Sequence, residues 1–355
     1  MGNPIVDVIY GGQWGSESKR LFIEYYVNKY KPDAVVSNFG PNSGGFVSDG
    51  SKWATFPMAF KGSVMLSSGS IINPDIASLE SELLPKESKV MIHRNACIVT
   101  NSAIKDEEKQ VRIGSTMTGT MEAVVQKMRR DPDNQNIALK WLGKGLVVGN
   151  DEWFNELKSC KRILLVVPQG HSLSINFGQY PYCTSRNTSP QQGIADAGIP
   201  IQWVNRVIGV FRTFPIRVSN RYDENGKMIG WSGPCYPDQK ELTWEQVGQS
   251  PEMTSVSKKV RRVFTFSEQQ YMESCQMNGC TDVFMNFMNY LPNHEKQEEF
   301  FKRISSIGPR ISWCGYGPTI NDIASVKLVK PSDGIDNREG CHPTMFSLDK
   351  FNGEV

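Results

Sequence analysis

The run Ile5-Val6-Asp7-Val8-Ile9-Tyr10, the turn Gly11-Gly12-Gln13-Trp14-Gly15-Ser16-Glu17-Ser18-Lys19-Arg20 and the stretch Leu21 to Tyr30 decide how this chain is read. The first is short and apolar and reads as a buried strand; the last reads as a helix. A glycine-rich strand-to-helix turn with a lysine at the helix start suits phosphate. Bare backbone N–H groups approach the oxyanions, and the helix dipole and the lysine add positive charge. It is not a Walker A loop, which wants glycine before the lysine and serine or threonine after it; here the order is Ser18-Lys19-Arg20. An ordinary βα turn is the competing reading.

Bulk composition narrows the field. The 355 residues suffice for one large α/β domain or two smaller ones. A net charge of +2 gives no basic field of the kind that nucleic acid would select. Eight cysteines are scattered without a CxxC pair and only four histidines are present, which argues against a zinc site and for free thiols in a reducing compartment. The chain runs directly into a strand with no signal peptide, and no apolar run reaches membrane-spanning length. These features read as a soluble cytoplasmic protein with no membrane partner.

Further along, Asp33 to Phe39 reads as a second strand that feeds the loop Gly40-Pro41-Asn42-Ser43-Gly44-Gly45. Strand, glycine-rich loop and strand are what a nucleotide crevice in a doubly wound sheet needs. Val90 to Thr100 reads as one strand and Asn101 to Val111 as a helix. Gly114-Ser115-Thr116-Met117-Thr118-Gly119 then precedes a helix over Glu122 to Arg130. Small hydroxyl residues there could hold a monophosphate, or Thr118 or Thr120 could simply cap the helix. Arg162 to Val167 is a good buried strand running into Pro168-Gln169-Gly170-His171. Ile199 to Ile208 reads as a helix and Gly209 to Val218 as a strand. Asp223 to Lys227 reads as a hairpin turn. Ser267 to Asn278 and His294 to Ile304 read as helices, Thr281 to Leu291 and Arg310 to Gly315 as strands, and the tail beyond Pro318 as irregular.

The turn Gly11 to Arg20 resembles the G-x-Q-W-G-D-E-G-K-G signature of adenylosuccinate synthetases. A second match has the right order and spacing: Pro168-Gln169-Gly170, then Gly178-Gln179-Tyr180-Pro181-Tyr182-Cys183-Thr184-Ser185, resembles that family's A-Q-G and G-T-Y-P-x-V-T-S. The resemblance spans nearly the whole chain. It implies one catalytic domain over 1–355: a P-loop-like, doubly wound, mostly parallel sheet with helices on both faces and smaller peripheral subdomains. It also implies a nucleoside-triphosphate-driven C–N ligase that phosphorylates a purine 6-oxygen and then lets the aspartate amine displace phosphate.

Residue by residue, the resemblance implies a catalytic group of Ser16, Lys19 and Gln169. It places the acceptor nucleotide on Ser16, Asn42, Thr116, Arg130, Gln169 and Thr184. Arg130 matches an arginine that reaches into the partner subunit's phosphate site, which implies a homodimer. The donor nucleotide would meet Gly15, Glu17, Ser18, Lys19, Arg20, Phe287, Asn289, Gly317 and Pro318. L-aspartate would meet Thr254, Ser255, Lys258, Arg261 and Arg262, where the family's arginine-rich loop is thinned to a mixed set; a solvated basic face is the alternative. Mg2+ would sit by Ser16 and Gly44.

The departures carry information of their own. The family's aspartate at the signature loop is Ser16, its glycine before the lysine is Ser18, and its loop histidine is replaced by Gly45 or Phe46. His171 is either a stand-in for that histidine or a structural residue. A carboxylate beside N1 of a purine would crowd a 2-amino group, whereas a serine leaves room and can accept a hydrogen bond from it. Ser16 therefore suits a guanine nucleotide, and the chain looks most like the phage-type branch of the family, which joins aspartate to dGMP. Asn289 stands where the family reads the guanine of GTP with an aspartate, so the expected donor is ATP or dATP. Two alternatives stay open: a divergent enzyme acting on IMP with GTP, and an inactive nucleotide-binding protein.

Overall fold

The computed structural model describes residues 2–110, 113–134, 136–141, 146–254 and 259–326. Its centre is a ten-stranded sheet. In chain order the strands are β1 (Ile5–Gly11), β2 (Ala34–Ser37), β3 (Ser63–Leu66), β4 (Lys89–His93), β5 (Val147–Val148), β6 (Arg162–Val166), β7 (Val204–Arg212), β8 (Asp282–Asn286), β9 (Arg310–Gly315) and β10 (Ile323–Ser325). Across the sheet they run β10-β9-β8-β7-β1-β6-β2-β3-β4-β5. Every pairing is parallel except that of β9 with β10.

β1 shows why the sheet is covered on both faces. Val6, Val8 and Tyr10 enter a core with Trp153, Leu157, Ile194 and Ala197, from the helices Asn150–Ser159 and Pro190–Ala197. Ile9, on the opposite face, joins a second core with Phe22, Ile23 and Tyr26 of helix α1 (Lys19–Tyr30), where Phe22 stacks on Phe284 at 4.5 Å between ring centroids. A strand buried on both faces must be apolar almost throughout, as this one is. A third core under β8 and β9 takes Tyr271 and Cys275 from helix Glu268–Asn278, and Phe300 and Ile304 from helix His294–Ser305.

The order of the strands fixes where ligands go. After β1 the chain crosses by α1 to β2, on one side; after β6 it crosses by helix Pro190–Ala197 to β7, on the other. The loops that leave the carboxyl ends of the adjacent strands β1 and β6 therefore diverge, opening a crevice at the switch point. Those loops are Gly12 to Ser18 and Val167 to Gly170. Smaller sheets stand around the centre: Ile216–Arg217 with Arg262–Phe264 and Glu241–Leu242, and the hairpin Arg221–Tyr222 with Met228–Gly230.

Several local expectations need correction. Ile199 to Ile208 is not a helix: a single turn at Ile201–Trp203 leads straight into β7. Its apolar residues satisfy either period, and pairing with both β1 and β8 decides for strand. β7 ends at Arg212, and Ile216–Arg217 belongs to a different sheet. Val90 to Thr100 is broken by a turn in which the Ala96 amide donates to the His93 carbonyl, separating β4 from Cys97–Ile98. Thr281 to Leu291 ends as a strand at Asn286 and continues as a turn, Met288–Tyr290. Directly after Pro318 the chain forms a turn and the antiparallel edge strand β10, with Asp322 accepting from the Thr319 amide and hydroxyl; the rest of the expected irregular tail, 327–355, lies outside the described residues.

Candidate active site

The signature turn is built as a frame around a buried carboxylate. Glu17 is 1% exposed; its Oε1 accepts from the amides of Gly15 at 2.7 Å and Gln13 at 3.2 Å, and its Oε2 pairs with Lys19 Nζ at 3.0 Å. Lys19 Nζ also donates to the carbonyls of Gly15 and Gln169, so it ties the turn after β1 to the one after β6. Gly15 has φ +88°, and a Cβ on it would stand 2.9 Å from Cα of Gln169. Only glycine permits that approach. The Gln13 amide spans to β7, donating to the Arg212 carbonyl and accepting from its N–H. Ser18, at the start of α1, takes φ 61°, a left-handed backbone that costs a serine on the order of 1 kcal/mol more than a glycine.

Two cavities open beside this turn. The larger, about 530 Å³, is lined by Gly15, Ser16, Ser18, Lys19 and Arg20, by Asn42 to Phe46, by Gly114 to Met117, and by Gln169, Thr184, Arg217, Thr254 and Arg261, among others. The smaller, about 350 Å³, is lined by Ser18, Leu21, Phe46, Val47, Ser48, Gly50, Asn286, Phe287, Asn289, Tyr290, Gly317 and Pro318. Ser18 and Phe46 border both. Segments far apart in sequence thus converge on each cavity. Phe287 and Asn289 share their wall with Gly317 and Pro318.

Polar groups in the large cavity are only partly matched within the protein. Gln169 Oε1 and Trp14 Nε1 are buried with no partner among the described residues. Gln169 takes φ 58°, a second left-handed residue. Ser16 Oγ accepts from Arg261 Nη1 at 2.9 Å, and the Ser16 carbonyl accepts from Arg212 Nη1 at 3.0 Å. Arg217 donates to Gln179 Oε1 and to the carbonyls of Tyr182 and Pro234, and lies 4.9 Å from the Trp14 ring. Burial, followed by the nearby Arg262, pushes its guanidinium down to about 10. Glu252 is the single carboxylate among the described lining residues. Burial raises its carboxyl, but the ion pair with Arg212 and hydrogen bonds from Arg212 and Tyr290 outweigh that and hold it below the ordinary carboxylate value.

Other expected residues sit differently. Arg20 borders the large cavity, yet its guanidinium is committed to the carbonyls of Ser43, Ala54, Phe56 and Pro57, and burial lowers it to about 9. Glu80 holds the amides of Ala54, Thr55 and Phe56, so the two residues pin one loop from opposite sides. Glu17 touches the turn and neither cavity. Arg262 lines neither: it pairs with Glu241 and donates to Ser232 Oγ and the Gly233 carbonyl. Arg130 is exposed, in a left-handed cap at the end of helix Thr120–Arg129, outside both cavities of its own chain. Ser255 and Lys258 lie outside the described residues. His171 is fully buried, takes a hydrogen bond from Asn278 Nδ2 at Nδ1, meets Glu273 Oε1 at 3.4 Å through Nε2 and stacks on Phe177. It lines neither cavity, and both ring nitrogens are engaged inside the core.

Sequence reasoning passed over Trp14, Arg212, Glu252 and Tyr290. The signal available was slight: an arginine closing an apolar strand, and an acid two residues before Thr254 in a polar loop.

Comparison with known proteins agrees with this geometry. A family model described as adenylosuccinate synthetase matches residues 134–298. The N6-succino-2-amino-2′-deoxyadenylate synthase of Vibrio phage phiVC8 is 38% identical over 90% of this chain and 97% of its own length. The protein of the same name from Acinetobacter phage SH-Ab 15497 is 34% identical over 87% of this chain and 90% of its own. Among solved structures, the Cyanophage S-2L succinoaminodeoxyadenylate synthetase (PurZ), bound to dGMP and to dATP as an energy donor, superposes with a TM-score of 0.83 at 30% identity, covering 91% of this chain and 96% of that one. With the signature turn, the paired cavities and these relatives together, the chain belongs to the adenylosuccinate synthetase family, in the branch of the phage N6-succino-2-amino-2′-deoxyadenylate synthases.

Proposed function

We propose that this protein joins L-aspartate to C6 of dGMP at the expense of ATP or dATP. The guanine O6 takes the donor's γ-phosphoryl group, releasing the nucleoside diphosphate. The aspartate amine then bonds to C6, the C6–O bond breaks, and inorganic phosphate leaves with the former O6. The product is N6-succino-2-amino-2′-deoxyadenylate. The large cavity draws on segments from Trp14 to Arg261 and the small one on segments from Ser18 to Pro318, which supports reading 1–355 as one catalytic unit.

The observation that carries this reading is the neutral wall at Ser16. A hydroxyl, already receiving a hydrogen bond from Arg261, borders the acceptor cavity where the wider family presents a carboxylate. The one carboxylate among the described residues that line the cavity, Glu252, is tied to Arg212. A guanine 2-amino group can enter without meeting a free anion and can donate to the serine oxygen. The Gln169 amide offers an acceptor oxygen and a donor nitrogen to the O6/N1 edge of the base. Thr116, Asn42 and Thr184 supply polar groups for the monophosphate. Lys19, at the start of α1, places positive charge by the donor phosphates. In the small cavity Phe287 gives the donor base an apolar face, and the Asn289 amide can donate to an adenine ring nitrogen. Thr254 and Arg261, with Ser255 and Lys258, form the aspartate side.

Ser16 and Gly44 both line the large cavity, and a serine hydroxyl and a backbone carbonyl are hard oxygen donors, a set that suits Mg2+ ligated mainly by phosphate and water oxygens. These two residues would hold it, and bound there it would neutralise charge developing on the transferred phosphoryl group. Exposed Arg130, outside its own chain's cavities, supports a homodimer in which it completes the partner's monophosphate site. The reducing compartment implied by seven free cysteines among the described residues supports a cytoplasmic location.

The test is direct. Protein, Mg2+, aspartate and dATP are mixed with dGMP or with IMP, and phosphate release is followed. Turnover with dGMP and little with IMP is expected. Turnover with IMP alone, or with neither, overturns the proposal.

A further inference from the structure

Between the two cavities stands a cluster, Tyr290, Glu252 and Arg212, that has no task in the proposed reaction. Tyr290, on the wall of the small cavity, donates from its hydroxyl to Glu252 Oε1 at 3.0 Å. Glu252, on the wall of the large cavity, takes both Arg212 Nη1, at 3.2 Å, and Arg212 Nη2. Arg212 is 1% exposed, and its guanidinium lies 3.8 Å from the centroid of the Phe287 ring, which also lines the small cavity. The same arginine donates to the Ser16 carbonyl, while Arg261 donates to the Ser16 hydroxyl. The backbone N–H of Arg261 in turn donates to the Glu252 carbonyl at 2.9 Å. Ser16 is therefore gripped by two arginines, and Glu252 places both.

We infer that Glu252 is a positioning residue that couples the two cavities, transmitting the state of the donor-base wall to Ser16 through Arg212 and Arg261. This rests on the proposed assignment of acceptor and donor to the two cavities. A base that settles against Phe287 presses on a ring whose neighbour is the Arg212 guanidinium. Arg212 can shift only with its carboxylate partner, and that partner is anchored on the donor side by Tyr290. The Arg212 Nε is buried without a hydrogen-bond partner among the described residues, so the lateral position of the guanidinium is set by Glu252, Ser16 and the Phe287 face. This ion pair, buried at Arg212 and half-buried at Glu252, touches the walls of both ligand cavities and the loop between them.

The experiment measures dGMP binding by calorimetry with and without saturating β,γ-methylene dATP, a donor that cannot transfer phosphate. In the unmodified protein the donor analogue is expected to tighten dGMP binding by about tenfold, and dGMP to tighten the analogue by the same factor, since coupling is reciprocal. Tyr290→Phe, which keeps the ring and loses one hydroxyl, is expected to cut that factor to about threefold, and Glu252→Gln to bring it near one. A factor unchanged in both variants, or no coupling in the unmodified protein, overturns the inference. If the protein binds IMP and not dGMP, the functional reading falls, and the same comparison with IMP and a GTP analogue decides the coupling by the same two outcomes.

Discussion

The two ends of β1 solve opposite problems with similar residues. At its start, Asp7 is fully buried and saturated: Arg206 donates twice, at 2.8 and 3.2 Å, Arg162 at 2.8 Å, Asn205 at 2.9 Å, and the Tyr26 hydroxyl completes the set. At its end, the turn from Gly11 to Ser18 keeps Trp14 Nε1 and, across the gap, Gln169 Oε1 without partners among the described residues. A buried polar group costs stability unless it is hydrogen-bonded. The first end meets that demand internally and so holds the fold. On the proposed function the second leaves it to a ligand, and the left-handed residues Ser18 and Gln169 lie at the same end. On that reading the contrast separates residues that stabilise from residues that act, although both sets are charged or polar and buried.

That separation can be broken by substitution. Asp7→Asn should act on the fold. Leaving Arg206 and Arg162 without their carboxylate is expected to lower stability by about 3 kcal/mol, with the kcat/KM for dGMP within about twofold while the protein stays folded. Gln169→Met should do the reverse. It keeps the length of the side chain and removes an amide whose oxygen accepts no hydrogen bond from a described residue. Turnover of dGMP is expected to fall by about two to three orders of magnitude, the usual cost of losing one preorganised polar contact, while unfolding free energy moves by less than about 0.5 kcal/mol. Steady-state kinetics and denaturant titration on one preparation of each variant check both halves.

The Asp7 carboxyl gives the comparison a smaller, pH-dependent signature. Burial raises it, but hydrogen bonds from Arg206, Tyr26 and Asn205 outweigh burial and hold it below the ordinary 3.8. A depressed carboxyl contributes stability that is fully present above 3.8 and is lost as pH falls through the lower folded value. The unmodified protein should thus lose stability on acidification below about pH 4, and Asp7→Asn should lose less over that span. Parallel acid limbs in the two proteins would mean that Asp7 is not a principal stabilising titrating group.

Legibility in the sequence depended on how local each feature is. The strand, turn and helix from Ile5 to Tyr30 could be read because an apolar run, clustered glycines and a helical stretch lie side by side. Arg162 to Val167 was equally plain. β7 was not, because a strand buried on both faces has no alternation to distinguish it from a buried helix, and its partners β1 and β8 are remote in sequence. The cavity residues Ser16, Asn42, Thr116, Gln169 and Thr184 could be named from motif order. What their order could not show is which basic residues are already occupied: Arg262 is held by Glu241, Arg20 by four carbonyls, whereas Arg261 reaches Ser16. Pairings such as Arg212 with Glu252 span 40 residues and arise only when β7 and the loop before Arg261 are brought together. His171 illustrates the reverse case, a residue that invites a catalytic role in the sequence and is satisfied in the core.

The central claim is that a neutral hydroxyl at position 16 selects the guanine base. Its most direct test is the ratio of kcat/KM for dGMP to that for IMP, measured in the unmodified protein and in Ser16→Asp. The ratio is expected to fall by at least about tenfold in the variant, because the new carboxylate crowds the 2-amino group of guanine and meets no such group on hypoxanthine. A ratio that stays the same, or rises, would contradict it.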